Sequence, residues 1–216
     1  MDINKSKNES KLISNVLKTK KNNRWSVFCD NEFLFAVSDE VRQKYQLYKN
    51  EKLDDKLISD VLRADELHRA KTVSLRYIQT RLRSQLEMKQ KLIQNDFSET
   101  AINDVTKFLI EYKFIDDEIF TKAFINSKMN IRKIGKNKLL FELYKKGIDK
   151  DVSKKILDEL DLDTEISIAF EIAERKIKYI RHKEPYKIKN SLSNFLLSRG
   201  FSWDIIKKVI EKLVIN

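Results

Sequence analysis

The chain has 216 residues, with 44 lysines and arginines against 33 aspartates and glutamates, which gives a formal charge of +11. Its single cysteine excludes internal disulfides, and three glycines with one proline are too few for folds built on tight turns or glycine-rich phosphate loops. A hydrophobic content of 41% is too high for a disordered chain, and no apolar run reaches the roughly 18 residues of a membrane span. We therefore predict a helix-rich cytoplasmic protein whose partner is a polyanion.

Residues 1–66 predict a small α+β module. Trp25–Cys29 and residues 33–37 alternate in polarity around Asp30-Asn31, which is a hairpin signal, and residues 12–17 offer a third antiparallel strand. Ser38 then precedes a predicted short helix over 39–45, followed by a loop over 47–53 and a helix over 54–62. The module carries 13 basic and 12 acidic residues, so the positive excess belongs to residues 67–216.

From residue 67 onward the apolar period becomes helical, and one pattern occurs three times. The copies align on Asp96, Gly147 and Gly200, which are 51 and 53 residues apart. Apolar residues stand eight and four positions before each of these, and one, nine and thirteen positions after it. This spacing predicts two helices joined by a left-handed turn, at Asp96 or at Asn95 in the first copy. A further helix precedes each pair, over 70–81, 118–130 and 165–179.

We therefore predict a mainly α fold of three tandem three-helix repeats in an elongated, curved array, preceded by a small β-hairpin or meander module with short helices. The predicted domains are residues 1–66, 67–113, 114–160 and 161–216. Helix-start signals agree with the repeats: Ser84 and Glu87 have capping-box spacing, and Pro185 suits a first helical turn. Chance alignment of leucine-rich helices is the alternative.

Three stretches of the repeats contain cations and no acid: residues 67–86, 119–141 and 175–183. Each lies near the junction of a repeat's first and second helices, so equivalent placement would form a cationic stripe along the array. Positive charge at a workable spacing is enough to bind phosphates whatever the base sequence. A solvated helical face is the alternative. The candidate DNA-binding or filament-binding residues are Arg76, Arg81, Arg83, Lys128, Arg132, Lys133, Lys136, Lys138, Arg175, Lys178 and Arg181.

The sequence predicts no catalytic, metal or cofactor site. Asp116, Asp117 and Glu118 could suggest a metal-dependent nuclease, but no second acidic cluster completes one, and helix capping is the favoured role. His68 and His182 lack partners at zinc-site spacing. Four tyrosines near repeat ends could meet a protein partner: Tyr112, Tyr144, Tyr179 and Tyr186.

Several short motifs occur in an order that resembles the RecX regulatory family. The strings at 81–92 (RLRSQLEMKQKL) and 114–120 (FIDDEIF) are similar to the family's first-repeat signature and to its link into the second repeat. Gly135 with the string at 143–148 (LYKKGI) is similar to the second helix pair, and 197–201 (LSRGF) resembles the third-repeat turn. The hairpin and the string at 37–41 (VSDEV) look like the N-terminal module of longer members. The family's usual proline, leucine and arginine are replaced here by Lys136, Ile115 and Ile119.

The resemblance implies a bacterial, non-catalytic regulator that lies in the groove of the RecA–DNA filament. It implies that the chain modulates, usually by inhibition, RecA's ATP hydrolysis and strand exchange, and with them recombination and the SOS response. The expected partners are then the RecA filament and single-stranded DNA, with double-stranded DNA as a further ligand. We expect the chain to be a monomer that binds neither a membrane nor a cofactor. A helical adaptor that binds nucleic acid without RecA is the alternative.

Overall fold

The N-terminal part of the chain forms a four-stranded antiparallel sheet. The structure is a computed structural model, which describes residues 10–20, 23–182 and 184–214. The strands are β1 (Lys11–Lys18), β2 (Trp25–Cys29), β3 (Glu32–Val37) and β4 (Lys52–Leu53). They lie in the order β3-β2-β1-β4, so the predicted three-strand meander is confirmed.

The sequence predicts the β2–β3 hairpin of the sheet but not its short edge strand β4. Asp30 and Asn31 close the β2–β3 hairpin with φ values of 52° and 64°, a conformation that two-residue hairpin loops need and that Asp and Asn tolerate. The strand β4 lies where the sequence predicts only a loop, and it pairs with the start of β1. A two-residue strand has no periodicity, so its pairing follows from tertiary packing alone.

Two helices complete this region. α1 (Asp39–Lys44) begins after Ser38, whose hydroxyl accepts a hydrogen bond from the Val41 amide, as predicted for a helix cap. α2 (Asp55–Ile78) is one helix of 24 residues, so the prediction of separate helices over 54–62 and 70–81 is wrong. Residues 63–69 contain neither glycine nor proline, and nothing in them stops a helix.

Asp65, on α2, ties this helix to the sheet. Its carboxylate lies 2.6 Å from the guanidinium of Arg24 and 3.2 Å from that of Arg69. It also accepts a hydrogen bond from the Ser38 amide at 2.8 Å. The Asp65 side chain is almost fully buried, and these three donors offset the free energy of its desolvation.

We expect Asp65→Asn to lower the free energy of unfolding by about 2 kcal/mol, because hydrogen bonds to charged groups contribute roughly 1.5–3 kcal/mol. The amide oxygen can still accept from Ser38, but both guanidinium groups lose their counter-charge. Urea titration followed by circular dichroism measures the change. Asp60→Asn, on the exposed face of the same helix, is the control, and equal losses for the two variants would contradict the assignment.

The rest of the described chain is helical and forms three trios. The first trio is the C-terminal part of α2 with α3 (Gln85–Ile93) and α4 (Glu99–Glu111). The second is α5 (Asp117–Ser127), extended by a π-helical turn (Lys128–Arg132), with α6 (Lys136–Lys145) and α7 (Lys150–Asp158). The third is α8 (Leu162–Ile180), α9 (Pro185–Ser198) and α10 (Trp203–Val214).

The same turn closes the second helix of each trio. Asp96, Gly147 and Gly200 all have left-handed backbone, with φ of 57°, 73° and 87°, so Asp96 and not Asn95 takes this conformation in the first copy. In every copy the next amide bonds to the carbonyl five residues back, which is the Schellman arrangement. The pairs are Phe97 to Leu92, Ile148 to Leu143 and Phe201 to Leu196.

Burial confirms the repeat prediction. The aligned apolar positions are buried, except Leu160 and Leu213, which are half-buried against the same core. The chain divides into two units, one of residues up to 81 with 89–111, the other of residues 82–88 with 112 onward. The mainly α fold with three helical trios and an N-terminal β meander is therefore confirmed. The predicted domain boundaries and the elongated, curved form of the array stay predictions.

Candidate nucleic-acid interface

The second helices of the second and third trios meet end to end. The amides of Gly135 and Asn137, at the start of α6, donate to the carbonyls of Arg199 and Gly200, at the end of α9, at 3.0 and 3.1 Å. A helix start has free amides and a helix end has free carbonyls, so each end satisfies the other and the dipoles align. The approach is so close that a Cβ on Gly135 would lie 2.6 Å from the Gly200 oxygen.

The junction between α3 and α6 repeats this docking with side chains. Ser84, directly before α3, donates its hydroxyl to the carbonyl of Lys146, at the end of α6, at 2.7 Å. Glu87 pairs with the Lys146 ammonium at 2.6 Å, and its amide donates to the Ser84 hydroxyl, as the capping box predicts. A Cβ on Gly147 would lie 2.6 Å from that of Leu86, so glycine is needed here for close approach as well as for φ.

Each junction also contains a partly or fully buried carboxylate from the first helix of the next trio, α5 at the α3–α6 junction and α8 at the α6–α9 junction. Asp117 accepts a hydrogen bond from the Gln85 amide, and Glu165 accepts one from the Lys136 amide, both at 2.9 Å. Burial raises the pKa of both carboxyls, and these hydrogen bonds oppose the rise only in part. Asp116 caps α5 as predicted, whereas Asp117 caps α3 of the first trio through the Gln85 amide.

We expect Glu165→Gln to keep or raise stability at pH 7, and Glu165→Ala to lower it by about 1–3 kcal/mol. Glutamine still accepts from the Lys136 amide without burying a charge, whereas alanine leaves that amide unpaired. The raised pKa of Glu165 means that its carboxyl holds a proton more tightly in the folded chain than in the unfolded chain. The stability of the wild type relative to the glutamine variant therefore falls as the pH rises above the ordinary glutamate value of 4.5.

Thermal denaturation across a pH series measures both variants. A glutamine variant less stable than the wild type at pH 7 would contradict the role assigned to Glu165. Asp163→Asn, on the exposed first turn of the same helix, is the control for a general effect of removing a charge.

Three of the candidate cations join helices to one another. Lys128 pairs with Glu142 on α6, and both side chains are mostly buried. Lys136 and Lys138 place their ammonium groups 3.2 and 3.0 Å from carbonyl oxygens at the ends of α7 and α9. These charges complement the negative ends of those helices, so the three lysines have structural contacts that the sequence does not predict.

Glu171 joins the second and third cationic windows. Its carboxylate lies 3.0 Å from the Lys133 ammonium and also pairs with Arg175, one turn further along α8. Lys133 has left-handed backbone, with φ of 53°, directly after the π-helical turn. The structure therefore brings these two windows together, and Glu171 partly neutralises them where they meet.

The remaining candidates lie at exposed or half-buried positions. Arg81 is exposed and Arg83 half-buried in the link between α2 and α3. Four others are exposed and form no ion pair with any residue that the structure describes: Arg76 on α2, Arg132 on the π-helical turn, and Lys178 and Arg181 at the end of α8. These four are the most available to phosphates, and the assignment of all eleven to a DNA or filament surface stays a prediction.

Exposed tyrosines accompany the cations at the end of α8. Tyr179 is 78% exposed and Tyr186 is 60% exposed, and they stand on either side of the link from α8 to α9. Their position near a repeat end is visible in the sequence. Their exposure is not, because an aromatic residue on a helix is equally compatible with a core position.

The described residues contain neither a metal-binding cluster nor a membrane-spanning helix. Within residues 10–20, 23–182 and 184–214, no group of three or more His, Cys, Asp and Glu side chains is placed to hold a metal ion. No described helix combines the length and the apolar character needed to cross a bilayer. Cys29 is buried on β2, and burial is the main cause of its raised pKa, which keeps the thiol protonated.

Four models of one protein family match the chain in consecutive segments. The first is described as the regulatory protein RecX N-terminal domain, over residues 11–54. The others are the first, second and third three-helix domains of RecX, over residues 70–109, 116–157 and 163–210. These segments coincide with the N-terminal module and with the three trios.

Relatives match the chain over nearly its whole length. Regulatory protein RecX of Clostridium beijerinckii is 30% identical over 207 residues, which are 95% of this chain and 96% of that protein. Regulatory protein RecX of Clostridium acetobutylicum is 32% identical over 198 residues, covering 90% and 92%. A crystal structure of regulatory protein RecX matches this chain with a TM-score of 0.74 at 22% identity. The match covers 93% of this chain and 98% of that one, so the two chains have the same fold.

Proposed function

The chain belongs to the RecX family of regulatory proteins, and from this premise we propose that it binds the RecA–DNA filament and inhibits RecA without catalysing a reaction of its own. The observation that carries the proposal is the match of all four RecX domains, in order, along the chain. Inhibition applies to DNA-dependent ATP hydrolysis and to strand exchange.

The architecture supports contact with a repeating target. The second and third trios, docked through the start of α6 and the end of α9, can contact successive protomers of a filament. Each contact needs only modest affinity, because the first one raises the effective concentration for the next. A protein seated along the filament groove would exclude a second DNA and resist the protomer motions of ATP turnover.

The test measures RecA's ATP hydrolysis and strand exchange in the presence of the purified chain. Both rates should fall at doses well below one chain per RecA protomer, because one bound chain affects several protomers. Cosedimentation with filaments establishes the dose at which binding is saturated. Unchanged rates at that dose would contradict the proposal.

A nucleic-acid adaptor that acts without RecA is the second candidate, and the exposed cations Arg132, Lys178 and Arg181 favour it. The two candidates differ in their dependence on salt. An adaptor should lose bare single-stranded DNA and RecA filaments with the same steep salt slope. A RecA regulator should stay on filaments at salt concentrations that remove it from bare DNA.

A further inference from the structure

Two tyrosine rings are presented to solvent at one end of the α8–α9 pair. Tyr179 lies in the last turn of α8 and Tyr186 in the first turn of α9, and both side chains are mostly exposed. Ile180, between them, is buried in the core of the second unit and so anchors the end of α8. Because the backbone is anchored here, stacking of another ring orders only the two side-chain torsions of a tyrosine, which costs little conformational entropy.

The charges around these rings are mainly positive. Lys178 and Arg181 are exposed and have no ion-pair partner among the described residues, and His182 is exposed next to them. Lys187 lies 5.5 Å from the centre of the Tyr186 ring and pairs with Glu184 at 3.1 Å. Glu174, one turn before Lys178, is a second exposed acid on these two helices. The cations outnumber these acids, so a polyanion is the complementary ligand.

Flat rings beside unpaired cations match the chemistry of an unpaired nucleotide. A base presents a flat π face to an aromatic side chain, while its phosphate is attracted to lysine and arginine. In a duplex the bases are already stacked on each other, so they have no free face on which the tyrosine rings can stack. An acidic peptide would use the cations but would gain no base stacking.

We propose that Tyr179 and Tyr186 form a base-stacking platform for single-stranded nucleic acid, with Lys178 and Arg181 holding its phosphates. This inference rests on the proposed function, since it takes the cationic surface as the one that meets DNA. It adds a mode of binding, base stacking, and two tyrosines that are not among the eleven candidate cations. RNA offers the same chemistry as DNA, and the experiment separates the two.

The experiment measures fluorescence anisotropy of the full chain with labelled oligothymidylate, oligouridylate, an abasic oligomer of equal length and a DNA duplex, without RecA. The wild type should bind oligothymidylate more tightly than the abasic oligomer. Tyr179→Ala and Tyr186→Ala should each weaken binding to oligothymidylate by at least about fivefold. Binding to the abasic oligomer and to the duplex, and the salt slope, should not change, because phosphate contacts are kept. Comparison with oligouridylate shows which of the two nucleic acids is preferred.

Matched variants make the result specific. Tyr179→Phe with Tyr186→Phe keeps both rings and should bind oligothymidylate like the wild type. Tyr144→Ala removes a ring that is 76% exposed on α6, away from this helix end, and should have no effect. Equal binding of oligothymidylate and abasic oligomer by the wild type, or equal losses on both in the alanine variants, would overturn the platform.

The inference and the proposed function fail in different ways. Loss of stacking selectivity with normal inhibition of RecA's ATP hydrolysis would overturn the platform alone. Normal stacking selectivity without any effect on RecA would overturn the proposed function alone. Circular dichroism of each variant shows that lost binding does not come from unfolding.

Discussion

Gly200→Ala is expected to lower the free energy of unfolding by about 3–5 kcal/mol, because strain and overlap act together at this position. Gly200 has φ of 87°, which is unfavourable for any residue with a Cβ. A Cβ would also lie 2.4 Å from the backbone nitrogen of Lys138 at the start of α6. Separation of α6 from α9 would leave the carbonyls of Arg199 and Gly200 unpaired. Urea titration followed by circular dichroism measures the loss.

Asp96 provides the matched control for this prediction. It occupies the equivalent position in the first trio, also with positive φ, but its side chain is exposed, so no described helix covers it as at Gly147 and Gly200. Asp96→Gly should therefore keep stability or raise it by up to about 1 kcal/mol, because only the backbone preference changes. A Gly200→Ala variant as stable as the wild type would refute the end-to-end docking.

Replacing Arg132, Lys178 and Arg181 together by glutamate should weaken binding to single-stranded DNA at least tenfold and lower the salt slope by about 2. The slope falls because each lost phosphate contact to a single strand contributes about 0.7 to it. These three side chains are exposed and have no ion-pair partner among the described residues, so their reversal should leave the fold intact. A salt series of anisotropy titrations measures both changes.

The control for this prediction changes the net charge equally at another place. Lys49, Lys52 and Lys56 are exposed in the N-terminal module, and their replacement by glutamate alters the total charge by the same amount. Equal weakening by both triple variants would mean that overall charge, and not the surface near α8, controls binding. Lys128 and Lys136 are unsuitable for such a test, because reversal would break their contacts with Glu142 and with a helix end.

The sequence predicts the cationic windows but not the role of each cation within them. Lys133 and Arg175 both pair with Glu171, which lies between the second and third windows in the sequence. This ion pair joins residues 38 positions apart, Glu171 on α8 and Lys133 directly after the π-helical turn, and only the tertiary structure brings them together. Charge counting along the chain therefore overstates the free positive charge, since it ignores partners from other helices.

The helical trios, their turns and their caps follow from the amino-acid order alone. These features depend on residues within about one or two helical turns of each other, so spacing, glycine and capping side chains are sufficient to predict them. The pairing of β4, the docking of helix ends and the hydrogen bond from α3 to Asp117 needed the tertiary structure. Each of these depends on distances between segments far apart in sequence, and on which buried polar groups find partners there, which no local pattern encodes.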